Sequence, residues 1–461
     1  MNLNEFLRQP MAPWRKVLCE VLDYLIVLFT ILGTQSIYNN TSEREFHILP
    51  ICAALLALHF VLFPDVLKWT HFKRFLYVAV PWTAYILIYA AVAGGGRVKL
   101  IEKFVIVLLL YAAYFYGHHL RGTIKEVLHY YVNIIFLIAL ISIFFWITAS
   151  TLKWFHASGP WYIYWGKERR VWSFYGLYFH WQNDFFIHGH RFFRNIGIFC
   201  EAPMYSLHLT TALMFDLLLN TRKSKFRWFR IVWLAGTVLT TFSITGYLFV
   251  MVLFVVDIYA SLIVRYRSDD PVIKSRAKKE LIAVTGLGIV LGGIAFSLVA
   301  DKLASRSGGS RMEDYNNGYK GWQDNVWFGA GFGDIDARQR YASWRRLHRS
   351  ESGFTNSPMA VLCEGGIWFF LAYYVPFMYS IIVTMNRRDW RATFCILLFV
   401  FIFVTTTMEH SCLMLAFIAF ALADFLAEGY KADSPLIGRP LRVPEYRPHD
   451  GYEAYVEEEE A

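Results

Sequence analysis

An arginine and a glutamate lie seven residues apart in "RNIGIFCEAP", residues 194–203, where an aromatic-rich segment meets an apolar one. Charged side chains are costly at the edge of a hydrocarbon layer, so a pair of them there indicates a functional role. A guanidinium group binds phosphate oxygens through two parallel hydrogen bonds, and a carboxylate can accept the proton of a hydroxyl group. Arg194 and Glu201 are therefore candidate functional residues.

The composition indicates that membrane-spanning helices position these charges. Of the 461 residues, 56% are hydrophobic and 18% are aromatic, which is unusual for a soluble protein of this length. Apolar stretches of about 17–25 residues, each long enough to cross a bilayer, recur along the chain. We predict an all-α, polytopic membrane protein with about 12 transmembrane helices, the first of them a retained helix rather than a signal peptide. The predicted spans are residues 17–35, 48–66, 75–93, 100–118, 127–149, 203–220, 229–242, 244–264, 280–300, 358–385, 392–409 and 412–427.

The distribution of Lys and Arg predicts the orientation of these spans. Short basic loops fall on one side if both termini are cytoplasmic, and the net charge of +9 is then a topology signal rather than a nucleic-acid footprint. Two long extracytoplasmic loops, residues 150–202 and 301–357, lie on the other side. Residues 1–427 form one helical domain, and the Pro-rich, Glu-ending segment 428–461 is predicted to be a disordered cytoplasmic tail.

Several motifs have ordinary explanations that we favour. His188 and His190 lack a carboxylate or cysteine at ligand spacing, so a metal site there is not expected. "GDID" places Asp334 and Asp336 in a D-x-D pattern typical of enzymes that use cytosolic nucleotide sugars, but the loop is predicted to lie outside.

The aromatic residues of the first long loop either lie on lipid headgroups or form platforms for sugar rings. The six cysteines are expected to be small apolar residues of the spans.

Three stretches together resemble the O-antigen ligase/Wzy-type polymerase superfamily of bacterial envelope glycosyltransferases. "RNIGIFCEAPMYSLHLTTAL" (194–213) resembles the family's Arg, Gly-Ile-Phe and Glu-Pro pattern, with Ala202 inserted before the proline. "TTFSITGYLFVMVLF" (240–254) is similar to the family's Ser/Thr-Gly turn, with Ile244 where ligases often have arginine.

The third stretch is the most specific. "SGGSRMEDYNNGYKGWQDNVWFGAGFGD" (307–334) resembles an arginine, an amphipathic helix and then Asp-Asn-x-x-x-Gly-x-Gly. "GFTNSPMAVLCEGGIWFFL" (353–371) follows, with Glu364 eight residues after Asn356 as in the family. Thr355 stands where ligases of the family place a histidine, which favours a polymerase over a ligase.

The resemblance implies a GT-C-like membrane glycosyltransferase that polymerises oligosaccharide repeats linked to undecaprenyl diphosphate, for O-antigen, capsule or exopolysaccharide. Its donor and acceptor would be lipid-linked repeats in the bacterial cytoplasmic (inner) membrane. A chain-length regulator or other export-machinery proteins would be its partners, and it would use no cofactor, no metal and no nucleic acid. The alternatives are a ligase of the same superfamily and a polysaccharide transporter or flippase, which would place its functional charges near the bilayer midplane.

The resemblance and the chemistry together select the catalytic candidates. Arg311 lies at the family's arginine position and is expected to stabilise the leaving diphosphate, with Arg194 and Arg306 as further phosphate ligands. Glu201 is expected to be the base or to position the acceptor. The alternatives are arginines that extend to the membrane interface and a glutamate placed favourably at a helix N-terminus.

Two further residues are predicted to bind substrate. Asn356 either orients a sugar hydroxyl or caps the tenth span. Glu364, a carboxylate inside the bundle, either acts in function or pairs with an arginine there. The glycines of "FGAGFG" (328–333) are expected to give tight backbone turns rather than a nucleotide-binding loop.

Overall fold

The computed structural model describes residues 13–41, 47–181, 185–187, 190–219, 226–304, 306–344, 354, 356–387 and 389–427. Within these ranges, the side chains of residues 185–187, 190–192, 264, 291, 294–304, 306–308 and 310 are not described. The predicted cytoplasmic tail, residues 428–461, lies outside the described residues, as do Thr355 and His188.

The described chain is mostly helical, as the apolar composition predicts, and a helix overlaps each of the predicted spans. The helices are α1 (Pro13–Leu32), α2 (Ile48–Leu62), α3 (Trp69–Val92), α4 (Arg97–Ile101), α5 (Leu108–Arg121), α6 (Ile124–Phe145), α7 (Ala202–Leu218), α8 (Arg227–Thr240), α9 (Ile244–Tyr266), α10 (Pro271–Ala304), α11 (Arg306–Gln323), α12 (Ile335–Gln339), α13 (Ser357–Asn386), α14 (Trp390–Thr405) and α15 (Cys412–Ala427). A π-helical turn, Glu102–Val107, joins α4 to α5, and another, Trp146–Thr151, extends α6.

Four helices among the described residues are long and apolar enough to cross a membrane. They are Trp69–Val92, Ile124–Thr151, Ile244–Ile263 and Ser357–Asn386. Three shorter apolar helices are Ile48–Leu62, Trp390–Thr405 and Cys412–Ala427. The membrane class is therefore supported, whereas the count of twelve spans and the sidedness of the loops stay predictions.

Local sequence signals explain where several helices begin and end. The Ser243 hydroxyl accepts from the Gly246 amide at 3.3 Å at the start of α9, and Asp389 Oδ1 accepts from the Ala392 amide at 3.1 Å before α14. These short polar side chains satisfy amides that have no partner within the helix. Gly122, with φ of +72°, ends α5 in the left-handed conformation that glycine adopts without strain.

The first long loop contains β-structure that the sequence analysis did not predict. β1 (Gly159–Tyr164), β2 (Glu168–Phe174) and β3 (Tyr178–His180) form an antiparallel sheet in that order, and β4 (Phe185–Ile187) pairs with β5 (His190–Phe192). The strands have three to seven residues, and apolar and aromatic residues occupy both of their faces. Short strands without clear alternation are hard to recognise in sequence.

The sheet lies against the bundle core. Ile163 and Val171 are fully buried, and the Trp181 indole donates to the Cys200 carbonyl at 2.8 Å, one residue before Glu201. All six cysteines are free and buried, as expected for small residues of the spans, although Cys19 also has polar contacts.

Candidate active site

A cleft lies where the first turns of α7 and α9 meet α11 and the end of α14. It encloses about 470 Å³ of empty space, part of it open to solvent. The residues that line it are Glu201, Pro203, Met204, Ser206, Leu207, Thr210, Ser243, Thr245, Gly246, Phe249, Arg311, Ile402, Thr405, Thr406 and Thr407. The cleft therefore brings together residues of all three predicted motifs, among them the two residues predicted to be catalytic.

Glu201 precedes the first turn of α7 in an extended conformation, with φ of −155°. Its carboxylate makes no capping hydrogen bond to the helix, and its position at the N-terminus of α7 is also the one that the alternative of favourable placement against the helix dipole predicts. Burial raises the pKa of the Glu201 carboxyl, against the opposing effects of a hydrogen bond from Trp165 and of the positive charges of Arg194 and Arg311. A carboxyl with a raised pKa is suited to accept and release a proton.

Arg311 faces Glu201 across the cleft. Its side chain is half-buried, and within the described part of the chain its guanidinium makes no hydrogen bond or ion pair. Its charge nevertheless lies close enough to Glu201 to lower the pKa of that carboxyl. A guanidinium that keeps its donors for a ligand is the arrangement expected of a phosphate-binding arginine.

Close packing of α11 on α13 fixes the position of Arg311. A Cβ atom on Gly318 would lie 2.6 Å from the Met359 Cβ, and one on Gly321 would lie 3.0 Å from the Cys363 Sγ. The Cys363 thiol also donates to the Gly318 carbonyl at 3.0 Å. The two glycines let the helices approach closely, so α11 holds Arg311 at the cleft from a rigid support.

Arg194 lies beside the cleft but is engaged with the backbone. Its Nε donates to the Thr241 carbonyl at 3.0 Å and its Nη2 donates to the Phe242 carbonyl at 3.3 Å. These are carbonyls of the turn between α8 and α9, so the side chain ties the predicted Ser/Thr-Gly turn to the start of α7. Arg306 is the first residue of α11, and its side chain lies outside the described residues.

A second group of charges, the buried ion cluster of Arg338, Glu364, Glu409 and His410, lies on the other side of the α14–α15 connection. Glu364 is fully buried, pairs with Arg338 and accepts from His410 Nε2 at 2.7 Å. Arg338 Nη1 lies 2.9 Å from Glu409 Oε1. The alternative that Glu364 pairs with an arginine inside the bundle is therefore the one the structure supports.

A break in α13 explains how Glu364 reaches these partners. Gly366 has φ of +61° inside the helix, and a Cβ atom there would lie 2.4 Å from the Trp327 backbone. The segment 326–333 fills the break: the Ile367 amide donates to the Val326 carbonyl at 2.9 Å, and the Gly331 amide donates to the Glu364 carbonyl at 2.8 Å.

The glycines of "FGAGFG" therefore serve backbone contact with α13. Gly329 and Gly331 both have positive φ, and a Cβ atom on Gly329 would lie 2.4 Å from the backbone of Glu364. Inside an apolar bundle, each backbone amide and carbonyl that the helix break leaves without a helical hydrogen bond needs another partner. The segment 326–333 makes four backbone hydrogen bonds to such groups of α13. The expectation of tight turns is confirmed, and no nucleotide-binding unit surrounds the loop within the described residues.

Asn356 caps α13, which is the second of the two roles predicted for it from sequence. Its Oδ1 accepts from the Met359 amide at 3.2 Å, and the residue is 1% exposed. Its Nδ2 has no hydrogen-bond partner in the described part of the chain. The contacts support a capping role.

The sequence analysis missed Arg338, Glu409 and His410. Glu409 and His410 are adjacent ionisable residues in "TTTMEHSC", between two apolar runs. Their position could have indicated a functional or paired site, because polar groups between spans need partners. Ser357 links them to the cleft: its Oγ lies 2.9 Å from Glu409 Oε2 and 2.7 Å from the Thr406 carbonyl oxygen, so the hydroxyl can donate to either acceptor. One short connection, residues 405–411, therefore lines the cleft with its first part and the ion cluster with its second.

The D-x-D motif has a structural role. Asp334 Oδ1 accepts from the amides of Asp336 at 3.0 Å and Ala337 at 3.1 Å, which caps α12, and Asp336 is exposed. The chain matches no family model and no curated protein, so its family resemblance is carried by the motifs whose positions have been described.

Proposed function

We propose that this protein is a metal-independent glycosyltransferase that polymerises lipid-linked oligosaccharide repeats at the extracytoplasmic face of a bacterial cytoplasmic membrane. The observation that carries the proposal is the pair formed by Glu201 and Arg311, which face each other across one cleft. One is a carboxyl with a raised pKa, and the other is an arginine that lines the same cleft and makes no hydrogen bond or ion pair with the described residues. A proton acceptor opposite an anion ligand is what transfer from a diphosphate to a hydroxyl requires.

The reaction assigns one task to each residue. The hydroxyl oxygen of the incoming repeat forms a bond to the anomeric carbon of the growing chain, and the bond from that carbon to the diphosphate breaks. The bonding electrons leave with the diphosphate lipid, whose added negative charge Arg311 stabilises through two N–H donors. The hydroxyl proton passes to the Glu201 carboxylate.

The surroundings of the cleft suit a lipid-linked sugar. Met204, Leu207, Phe249 and Ile402 give apolar contact, and the hydroxyl groups of threonines on α14 and α9 offer hydrogen bonds to sugars. The lipid chain itself would lie in the bilayer beside the helices. Arg194 and Arg306 remain proposed diphosphate ligands, and the undecaprenyl-diphosphate repeats remain the proposed donor and acceptor. Asn356, which caps α13, and Glu364, which lies in the buried ion cluster, are given no contact with substrate in this proposal.

The decisive experiment measures polysaccharide chain length in a strain that lacks the gene. A polymerase predicts loss of the polymer while single repeats are still exported. Free lipid-linked polymer would indicate a ligase instead, and single repeats that accumulate in the cytoplasm would indicate a flippase.

A topology experiment tests the premise of the chemistry. Reporter fusions after Trp165 and Ala330 should report an external location, and fusions in the basic loops near residues 225 and 272 an internal one. An internal signal at Ala330 would place the arginines on the wrong face for a lipid-linked donor and would overturn the proposal.

A further inference from the structure

Three potential metal ligands converge at the end of the bundle opposite to the cleft. Cys19 and Asp23 lie one turn apart on α1, and His59 faces them from α2. Nine residues of helix, about 14 Å, separate Asp23 from Leu32, where α1 ends near the segment that contacts Cys200. These residues take no part in the chemistry proposed for the cleft.

The donor atoms lie close enough together to surround a single ion, within 4.8 Å of one another. Cys19 Sγ lies 3.6 Å from Asp23 Oδ2 and 3.9 Å from His59 Nε2, and Asp23 Oδ1 lies 3.6 Å from the same nitrogen. Zinc bonds of about 2.0–2.3 Å in a tetrahedral arrangement separate neighbouring ligand atoms by about 3.3–3.8 Å. The exposed fractions are 7% for Cys19, 3% for Asp23 and 2% for His59, so the site excludes bulk water.

We propose that Cys19, Asp23 and His59 bind one zinc ion. Thiolate, imidazole and carboxylate are the three ligand types that zinc takes in proteins, and softer thiolate donors select against magnesium and calcium. On binding, the Cys19 thiol gives its proton to solvent and the sulfur forms a bond to the metal. The inference does not depend on the proposed polymerase activity.

Hydrogen bonds from neighbouring side chains orient the Asp23 carboxylate. The Tyr114 hydroxyl donates to Asp23 Oδ1 at 2.9 Å, and His118 Nε2 lies 3.1 Å from the same oxygen. The other ring nitrogen of His118 lies 2.8 Å from the Thr123 hydroxyl. Ligating carboxylates in metal sites are hydrogen-bonded in this way, and loss of such a partner typically lowers metal affinity about 10–100-fold.

The charges of the surrounding groups favour a divalent cation with a thiolate. Asp23 and the nearby Asp65 are carboxylates, and Arg121 supplies one positive charge, with its Nε 3.3 Å from Asp65 Oδ2. With a neutral thiol the group carries one net negative charge. Exchange of the thiol proton for Zn²⁺ adds one positive charge and leaves the group neutral. A neutral group is favoured because an uncompensated buried charge is costly.

Arg121 borders the fourth position of the ion. Its Nη1 donates to Cys19 Sγ at 3.1 Å, a contact that a zinc-bound thiolate retains, and its Nη2 lies 3.3 Å from His59 Nε2. Metal binding replaces only the second contact. The freed N–H then faces the open coordination position, so the fourth ligand is a water molecule or a small anion that accepts from the guanidinium.

The test is the zinc content of the full-length protein, purified without a polyhistidine tag after growth with added zinc and measured by elemental analysis. The expected result is about one zinc per chain for the natural protein. Cys19→Ser and His59→Gln should fall to background, and His118→Asn should bind zinc more weakly by about 10–100-fold. Cys395→Ser, a buried cysteine on α14 that is not one of the proposed ligands, is the matched control and should keep its zinc.

Two outcomes would overturn the inference. A natural protein that contains no zinc would mean that Arg121 is the cation that balances Asp23. Equal zinc in the natural protein and in Cys19→Ser would place the metal elsewhere. If the variants fail to fold, exchange of the natural protein with Co²⁺ decides instead, because thiolate-to-cobalt charge-transfer absorption appears only if a cysteine sulfur is a ligand.

Discussion

The cleft and the buried ion cluster share the α14–α15 connection, and both contain a glutamate near an arginine, yet their charges are used in opposite ways. In the buried ion cluster, Glu364 is fully buried and paired with Arg338 and His410. In the cleft, Glu201 and Arg311 face each other without an ion pair and border open space. Charges that satisfy each other fix a fold, whereas charges held apart remain available to a ligand.

The difference follows from what each loop must do. The segment 326–333 replaces hydrogen bonds that the break in α13 gives up, so its neighbours are locked in place. The start of α7 has no lost backbone hydrogen bonds to replace. A helix N-terminus offers free amides, and the nitrogen of Pro203 needs no hydrogen-bond partner. We therefore expect substitutions in the cleft to affect the reaction and those in the buried ion cluster to affect folding.

The largest effect on rate is expected for Glu201→Gln. Glutamine keeps the shape but cannot accept the hydroxyl proton, so polymerisation of lipid-linked repeats should slow by about 10²–10⁴-fold. Glu168→Gln, an exposed glutamate on β2, is the control and should leave the rate unchanged. Near-normal activity of Glu201→Gln would assign the base to another residue.

The same variant should not lose stability. Because burial raises the pKa of Glu201, the folded state holds its proton more tightly than the unfolded state does. That contribution to the free energy of unfolding is present at low pH and is lost as the pH rises through the folded-state pKa. Above that pH, Glu201→Gln should therefore unfold at a temperature equal to or higher than that of the natural protein.

The opposite pattern is expected for Arg338→Gln. It leaves Glu364 and Glu409 without their shared cation, and breaking a buried ion pair typically costs about 3–5 kcal/mol of unfolding free energy. Arg340→Gln, two residues away, removes an exposed pair with Asp324 and should cost less than about 1 kcal/mol. Equal unfolding temperatures for the two variants in detergent would remove the structural role assigned to the buried ion cluster.

Sequence patterns could predict the helices and single out individual residues of the cleft, because both depend on local signals. Apolar runs of span length marked the helices, and Glu201, Ser243 and Arg311 each stood in a short motif next to such a run. Contacts between distant segments were not predictable in this way. Arg338 meets Glu409 across 71 residues, and Glu364, two residues before the break at Gly366, meets Arg338 and His410.

The sheet of the first long loop shows the same limit. Its strands read as an aromatic loop because membrane interfaces and sugar platforms favour the same residues. What the residue types could not reveal is the turn at Trp165, which places the indole against Glu201. The zinc-site residues were hidden for a similar reason: Cys19 and His59 lie in separate apolar helices with no ligand spacing between them.

A smaller loss of rate is expected for Arg311→Lys. Lysine keeps the charge but loses the two parallel donors, and removal of one well-placed transition-state donor costs about 10²–10³-fold. If Arg311 only extends to the membrane interface, lysine should serve as well and activity should be nearly normal. Polymerisation by purified protein, at matched amounts of folded enzyme, distinguishes the two outcomes.

The pH dependence should connect the two residues of the cleft. Since Glu201 acts in its ionised form, the rate should fall tenfold per pH unit below its pKa, with a midpoint above the usual value of about 4.3. Arg311 opposes the raised pKa, so the residual activity of Arg311→Gln should have its midpoint at a higher pH. Arg311→Lys keeps the charge and should leave the midpoint in place. An unchanged midpoint in Arg311→Gln would mean that the two groups do not interact.

The smallest effect is expected for Asp334→Asn. Asp334 caps α12 through Oδ1, and an asparagine oxygen accepts the same two amide hydrogens. The helix α12, and Arg338 on it, should therefore keep their positions. Asp334→Ala removes the cap and should cost about 0.5–2 kcal/mol of unfolding free energy without a matching loss of rate per folded molecule. A catalytic metal held by the D-x-D motif predicts the reverse, because asparagine is a poor replacement for a charged ligand. A strong loss of activity in Asp334→Asn, with unchanged unfolding temperature, would therefore replace the arginine-based mechanism with a metal-based one.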